Sequence, residues 1–440
     1  MKIFLALIII FLLSNCSFDN KSGIWTNNNS NVKKEDQFKD FETLYSQTQT
    51  FNTIVRPDKS LMIILDPIKK NYKWTDEFYN DSNNLENFAY KELNEIIFKS
   101  QKISRSEVKK TFLFENQNAI FVDYKGNIIV YSLEKENIIF KYNFYKKNYK
   151  KIKKILNFIV EDNIIYVGDN FGYLYAVDYV NNKLIWAKNF KIPFRSNLKI
   201  LENKLIIADT NNSLIYINKT NGNKLKAIPT EETLIMNNFV NSLATIKENL
   251  YYLNTYGSLY SLNNNGRIKW FINLNQSIDI NPTNLFNSNP IVINKDKLII
   301  STNLFLYFID LNSGSTLFKI SISSLFRPIV SGDNLFLITK DNLLVSVNIN
   351  SFKINYSVDL EQTIANFLDV KKKKPISIKT LLLVNNNLFL FLNNSFFIKL
   401  DLIGEIKEIS KLSSKIKSDP IFINESLIYI NNKNKLIISN

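Results

Sequence analysis

The residues that usually carry chemistry are scarce. The chain of 440 residues has no histidine and one cysteine, Cys16. That removes Ser-His-Asp and Cys-His nucleophilic sites and the usual zinc ligand sets. Neither a G-x-x-x-x-G-K-[ST] phosphate loop nor a G-x-G-x-x-G fingerprint is present. Asp and Glu number 40, but no pair stands in a shared context that would suit acid–base catalysis on a glycoside. Asp178, Asp310 and Asp401 fall where the chain is expected to turn, and capping a turn is the simplest use of a carboxylate there. No catalytic residue, metal or cofactor is therefore assigned.

The elements that would position any site follow from one stretch. Gly172–Trp186 (GYLYAVDYVNNKLIW) alternates as a strand, breaks at Asp178, turns through Asn181-Asn182 and resumes at Lys183, which is a hairpin. Ser132, Asn218, Asn263, Asp310, Asn348 and Asp401 close similar strands, so seven anchors recur about every 45 residues, room for four short strands per repeat. Glycines recur after the anchor (Gly222, Gly266, Gly314) and before it (Gly126, Gly172, Gly257), and Pro290, Pro328 and Pro420 stand where strands begin. The last residues, SLIYINNKNKLIISN, form half a repeat, while a lone strand near Glu95–Lys99 precedes the first full one. A ring explains both, with the N-terminal strand completing the last blade and leaving no open edge. The expected fold is all-β: an eight-bladed β-propeller of four-stranded antiparallel blades, closed by N- and C-terminal strands sharing the last blade.

The ends and the charge set the context. An apolar run from Ile3 to Leu13 follows Lys2, too short to span a bilayer but right for a signal-peptide core. The expected organisation is a signal peptide at 1–15, a lipid-bearing Cys16 and flexible tether at 16–50, an extension packing on the propeller at 51–93 with a strand within 51–65, and the propeller at 94–440. The net charge is +15. The lysines are scattered over turns and only five residues are Arg, which argues for a solvated basic surface and no nucleic-acid partner. The run 371–374 reads as an inserted loop.

Two resemblances sharpen this. LLSNCSF at 12–18 resembles a bacterial lipoprotein signal, which implies cleavage before Cys16, acylation of its thiol and, with Ser17 next, the outer membrane facing the periplasm. The G-x-L-Y-A-V-D-x-x-N-x-x-L-I-W repeat, with relatives at 257–270 and 303–318, resembles that of the pyrroloquinoline-quinone-type propellers. Together with Trp74 ahead of the first blade, these features resemble the BamB family of outer-membrane β-barrel assembly lipoproteins. The resemblance implies a non-enzymatic scaffold that binds the periplasmic domains of BamA within the BAM complex and aids folding of unfolded outer-membrane proteins. It also implies a contact through an apolar-x-apolar-Arg loop, a form met by Ile192-Pro193-Phe194-Arg195, with Phe194 entering an apolar pocket and Arg195 reaching a carboxylate. Arg327 stands nine residues after Phe318 as Arg195 stands nine after Trp186, which suggests one shared face. The Asn-rich stretch 236–243 offers no acid to match those used by family members one blade later.

Two other readings compete. A quinoprotein dehydrogenase would need a calcium site and, often, an adjacent Cys pair, and its Trp-rich docking ring has no counterpart in a chain with two of its four Trp ahead of the blades. A generic envelope lipoprotein propeller with another protein partner fits equally well with the repeat.

Overall fold

The computed structural model describes residues 16–18, 25–27, 51–145, 149, 151–232, 240–275, 286–371 and 373–440. The chain divides into two units, Met1–Gln47 and Thr48–Asn440. In the first, Cys16–Phe18 pairs antiparallel with Trp25–Asn27, a short ladder where a tether without regular structure was expected. The signal peptide expected at 1–15 and the side chain of Cys16 lie outside the described residues.

The second unit is the expected propeller. Blade 2 shows the plan: Leu156–Glu161, Ile164–Asp169, Tyr173–Asp178 and Lys183–Asn189 pair in order, each antiparallel to the next. Blades 1 and 3 to 7 repeat it over 113–143, 199–228, 242–273, 292–320, 329–359 and 378–411. In blade 8, Ile421–Ile423, Ser426–Ile430 and Lys435–Ser439 are joined by the N-terminal strand Ile96–Lys102, so both ends of the chain share one sheet. First strands line the axis and are buried, whereas fourth strands such as Lys224–Ile228 are largely exposed. The one α-helix among the described residues, Leu360–Phe367, leads into the 371–374 insertion and is capped by Asp359.

The anchors do what turn chemistry asks of them. Each ends or directly follows the third strand of its blade, and its side-chain oxygen accepts from backbone N–H groups across the next turn, as Asp178 does from Val180 and Asn181 and Asp310 from Asn312 and Ser313. In all seven complete blades the ladder between third and fourth strands slips by one residue. Such a bulge adds twist and bends the outer strand. At two junctions a tryptophan bridges from the fourth strand to the next blade: Trp186 Nε1 donates to Lys219 O and Trp270 Nε1 to Leu311 O, each ring lying against a glycine of that blade's turn. At the next such position Phe318 stacks on Phe352, so the docking position exists but is shared among aromatic types.

Residues 51–93 depart most from expectation. No strand forms over 51–65; the segment crosses blade 6 by hydrogen bonds to Ser357, Asn334 and Ser331. It then circles the axis. Asp66 holds blade 6 through Gly332, Asn71 blade 8 through Phe422, Trp74 blade 1 through Phe114, and Thr75 blade 2 through Val160. Asp76 meets blade 3 at Lys199, Asp81 blade 4 at Thr245, Ser82 blade 5 at Ile293, and Asn84 blade 6 again at Val330. Asn87–Phe88 adds a parallel strand inside blade 7, and Lys91 reaches blade 8 at Glu425. The segment thus makes more than one full turn, visiting the blades in ring order. Its apolar side chains fill the axis: Trp74 lies 4.6 Å from Tyr79, which packs edge-on against Phe88, itself stacked on Phe422. Burying each is worth roughly 2–3 kcal/mol. The fully buried ammonium of Lys199 fixes the loop, donating to Asp76 Oδ2 at 2.6 Å, Asn80 O at 2.7 Å and Asn83 Oδ1 at 2.7 Å.

Candidate functional site

The connections from each fourth strand to the next first strand emerge at one end of the ring, and Ile192–Arg195 is one of them. It is sewn to both flanking blades: Phe190 N donates to Gly172 O, Phe194 N to Asp169 O, Arg195 N to Ala208 O, and Asn241 N to Arg195 O. Gly172, at φ +84°, allows this approach, since a Cβ there would stand 2.7 Å from Ile192 O.

Phe194 corrects an expectation. It is 4% exposed and closes the wedge between blades 2 and 3 with Phe190, Leu198 and Ile207, so it is not presented to a partner pocket. At this turn Ile192, Pro193 and Arg195 are half-buried and Lys191 is exposed. Burial lowers the Arg195 pKa.

Arg327 corrects a second. Phe194 pairs with Asp209 as Ser324 pairs with Thr339, and Arg195 N donates to Ala208 O as Leu325 N donates to Ile338 O. Leu325 is therefore the counterpart of Arg195. The blade 5 to 6 connection is two residues shorter, so equal counting from the aromatic carries Arg327 past the rim to the axis. There its Nη1 donates to Phe78 O at 2.7 Å and its guanidinium lies over the Phe78 ring at 5.6 Å. Burial pulls its pKa down to about 10, against the opposing pull of Asp76 and Asp419.

One blade after Arg195, the equivalent connection carries Glu231 and Glu232, which a search centred on 236–243 passes over; 233–239 lie outside the described residues. Burial raises the Glu231 pKa, but hydrogen bonds from Tyr260, Ser258 and Asn254 outweigh it and hold the carboxylate below its usual range. Glu231 is thereby committed to its own blade, and Glu232 is exposed.

A family model described as "Outer membrane protein assembly factor BamB" matches residues 105–353. The chain belongs to the BamB family. Among solved structures, BamB from Moraxella catarrhalis is similar with a TM-score of 0.61 at 12% identity, covering 78% of this chain and 98% of that one. A europium-containing methanol dehydrogenase is similar at 0.59 and 10% identity, covering 84% and 89%, and a quinohemoprotein alcohol dehydrogenase from Comamonas testosteroni at 0.57 and 10%, covering 81% and 76%. At these identities the structural likenesses carry the fold alone. No curated protein sequence matches the chain.

A quinone and its calcium do not fit the residues of this BamB-family propeller. Residues 66–91 occupy most of the axis, and no group of three or more Asp, Glu, Cys or His among the described residues is placed to hold a metal. The single Cys rules out a vicinal pair. Among the described residues no helix is long and apolar enough to cross a membrane.

Proposed function

We propose that this chain is a non-enzymatic scaffold of outer-membrane protein assembly, which binds the periplasmic domains of BamA through the rim bearing Ile192, Arg195 and Glu232. The observation that carries the proposal is the family match over 105–353. The rim supports it: Arg195 is placed there by backbone bonds to blades 3 and 4, and arginine is the residue type that meets a carboxylate bidentately. Exposed outer strands such as Lys183–Asn189 supply edges for unfolded outer-membrane proteins. Acylation at Cys16 would hold the ring at the outer membrane on the periplasmic side.

The dehydrogenase reading is disfavoured by the single Cys and by the want, among the described residues, of a carboxylate cluster to hold a calcium. A generic envelope propeller shares the fold and differs only in its partner.

The test is photo-crosslinking in the native envelope from residue 192, since 194 is buried. Capture of BamA, lost on Arg195→Glu, is the expected result. A different dominant partner, or capture indifferent to Arg195→Glu, refutes the assignment and leaves the generic propeller.

A further inference from the structure

The axial segment does not fill the ring to its end. Beneath the mouth encircled by the inter-blade connections lies a cavity of about 240 Å³. Its floor is formed by Trp74, Phe78 and Leu85 of the axial segment, and its apolar walls include Phe112 and Phe326. Four charged side chains also line it: Glu77, Arg327, Lys379 and Asp419.

Their hydrogen bonds show which of these charges are spent. Glu77 is ion-paired with Lys109, whose ammonium also donates to Leu156 O and Asn157 Oδ1, so that pair is closed. Arg327 donates one hydrogen bond, to Phe78 O, out of a guanidinium that carries five N–H groups. Lys379 donates to Lys417 O and stands 3.9 Å from Asp419, a long contact for an ion pair. Asp76, which also attracts Arg327, is taken up by Lys199, so Arg327 and Lys379 share the Asp419 carboxylate. Thr111 lines the same cavity, and its hydroxyl is buried with no hydrogen-bond partner. A buried hydroxyl left unpaired costs on the order of 1–3 kcal/mol.

We infer that this bowl is a binding site for a small organic anion, its carboxylate or phosphate held by Arg327, Lys379 and the Thr111 hydroxyl, its apolar body packed among Phe78, Phe112 and Phe326. The guanidinium fork suits an oxyanion bidentately, and an anion neutralises the excess positive charge. Burial lowers the pKa of both Arg327 and Lys379. The volume lies below that of sites for drug-sized ligands, which points to a metabolite on the order of ten heavy atoms. Nothing in this inference depends on BamA binding.

The experiment is calorimetric titration of the purified full-length protein with phenyl phosphate, inorganic phosphate and benzylamine. Phenyl phosphate should bind at one site with a Kd of roughly 0.1 mM, benzylamine should not bind, and inorganic phosphate should bind at least about tenfold more weakly for want of the apolar contacts. Arg327→Gln should weaken phenyl phosphate about tenfold or more. Should that variant not fold, Thr111→Val, nearly isosteric and lacking only the hydroxyl, should weaken it several-fold with the melting temperature retained. Absence of saturable phenyl phosphate binding, equal binding of benzylamine, equal binding of inorganic phosphate, or binding indifferent to these substitutions each overturns the inference.

Discussion

Replacing Lys199 by methionine tests whether the axial segment is held by charge. The ammonium is fully buried and satisfies three acceptors, while the Asp76 side chain is 3% exposed. Methionine restores most of the volume but strands the Asp76 carboxylate away from water and unpairs two further oxygens. Breaking a buried pair from one side costs about 3–5 kcal/mol. For a folded unit spanning Thr48–Asn440, an unfolding entropy of about 2.1 cal/mol/K per residue sums to roughly 0.8 kcal/mol/K. The melting temperature should fall by about 4–6 °C. Denaturation followed by fluorescence of Trp74, which packs on Tyr79 in the affected loop, reads the loss directly. Adding Asp76→Asn should recover about 2 kcal/mol or more, because the stranded charge is gone while the Phe78 N–H retains its acceptor position. A Lys199→Met variant that loses under 1 kcal/mol, or a double variant no more stable than the single, would refute the view that this pair anchors the segment.

Three further outcomes are expected. Gly172→Ala forces a Cβ against Ile192 O at positive φ, so it should cost about 1–3 kcal/mol in a thermal melt and reduce crosslinking from residue 192. Trp186→Ala should cost about 3–5 kcal/mol by chemical denaturation, since the ring is 7% exposed and closes the same wedge as Phe194. Burial pushes Tyr166, Tyr179, Tyr251 and Tyr307 up to about 12. Each folded-state pKa is raised, so its stabilisation is complete below the usual tyrosine value and is lost as pH rises through the folded value; a tyrosinate absorbance titration should show these groups silent until about pH 11 and then ionising with unfolding.

The repeat was legible because its signals are local. Asp178, Asn218 and Asp310 each cap a turn two or three residues away, and the paired half-repeats at the ends leave ring closure as the economical answer. The axial coil was not legible, because its contacts are single hydrogen bonds across great separations: Asn83 binds Leu243 and Ile291 carbonyls, and Asn84 binds Val330. In a chain so rich in Asn these residues carry no distinguishing mark. Arg327 was misplaced because counting from Phe318 assumes connections of equal length, and this one is two residues shorter than that after Trp186. Phe194 was read as a contact because an apolar-x-apolar-Arg turn has the same composition whether its aromatic ring faces out or closes the gap between blades. The bulges at the third-to-fourth pairings of all eight blades left no periodic signature in the residues.

The winding of residues 66–91 about the axis also determines how the ring bears a load. A chain pulled at its N-terminal end first stresses the bonds of Thr53 and Val55 with Ser357 across blade 6, then the clasp of Asp66 on Gly332. Beyond that point the tension is shed, blade by blade, onto a rope wound more than once around a post, each turn gripped by the wall it passes. The seam that shuts the circle, Ile96–Lys102 on Lys435–Ser439, lies downstream of the whole winding and stays slack until the winding is stripped. Were the chain anchored at Cys16 as proposed, a propeller built this way would be shielded from its own leash.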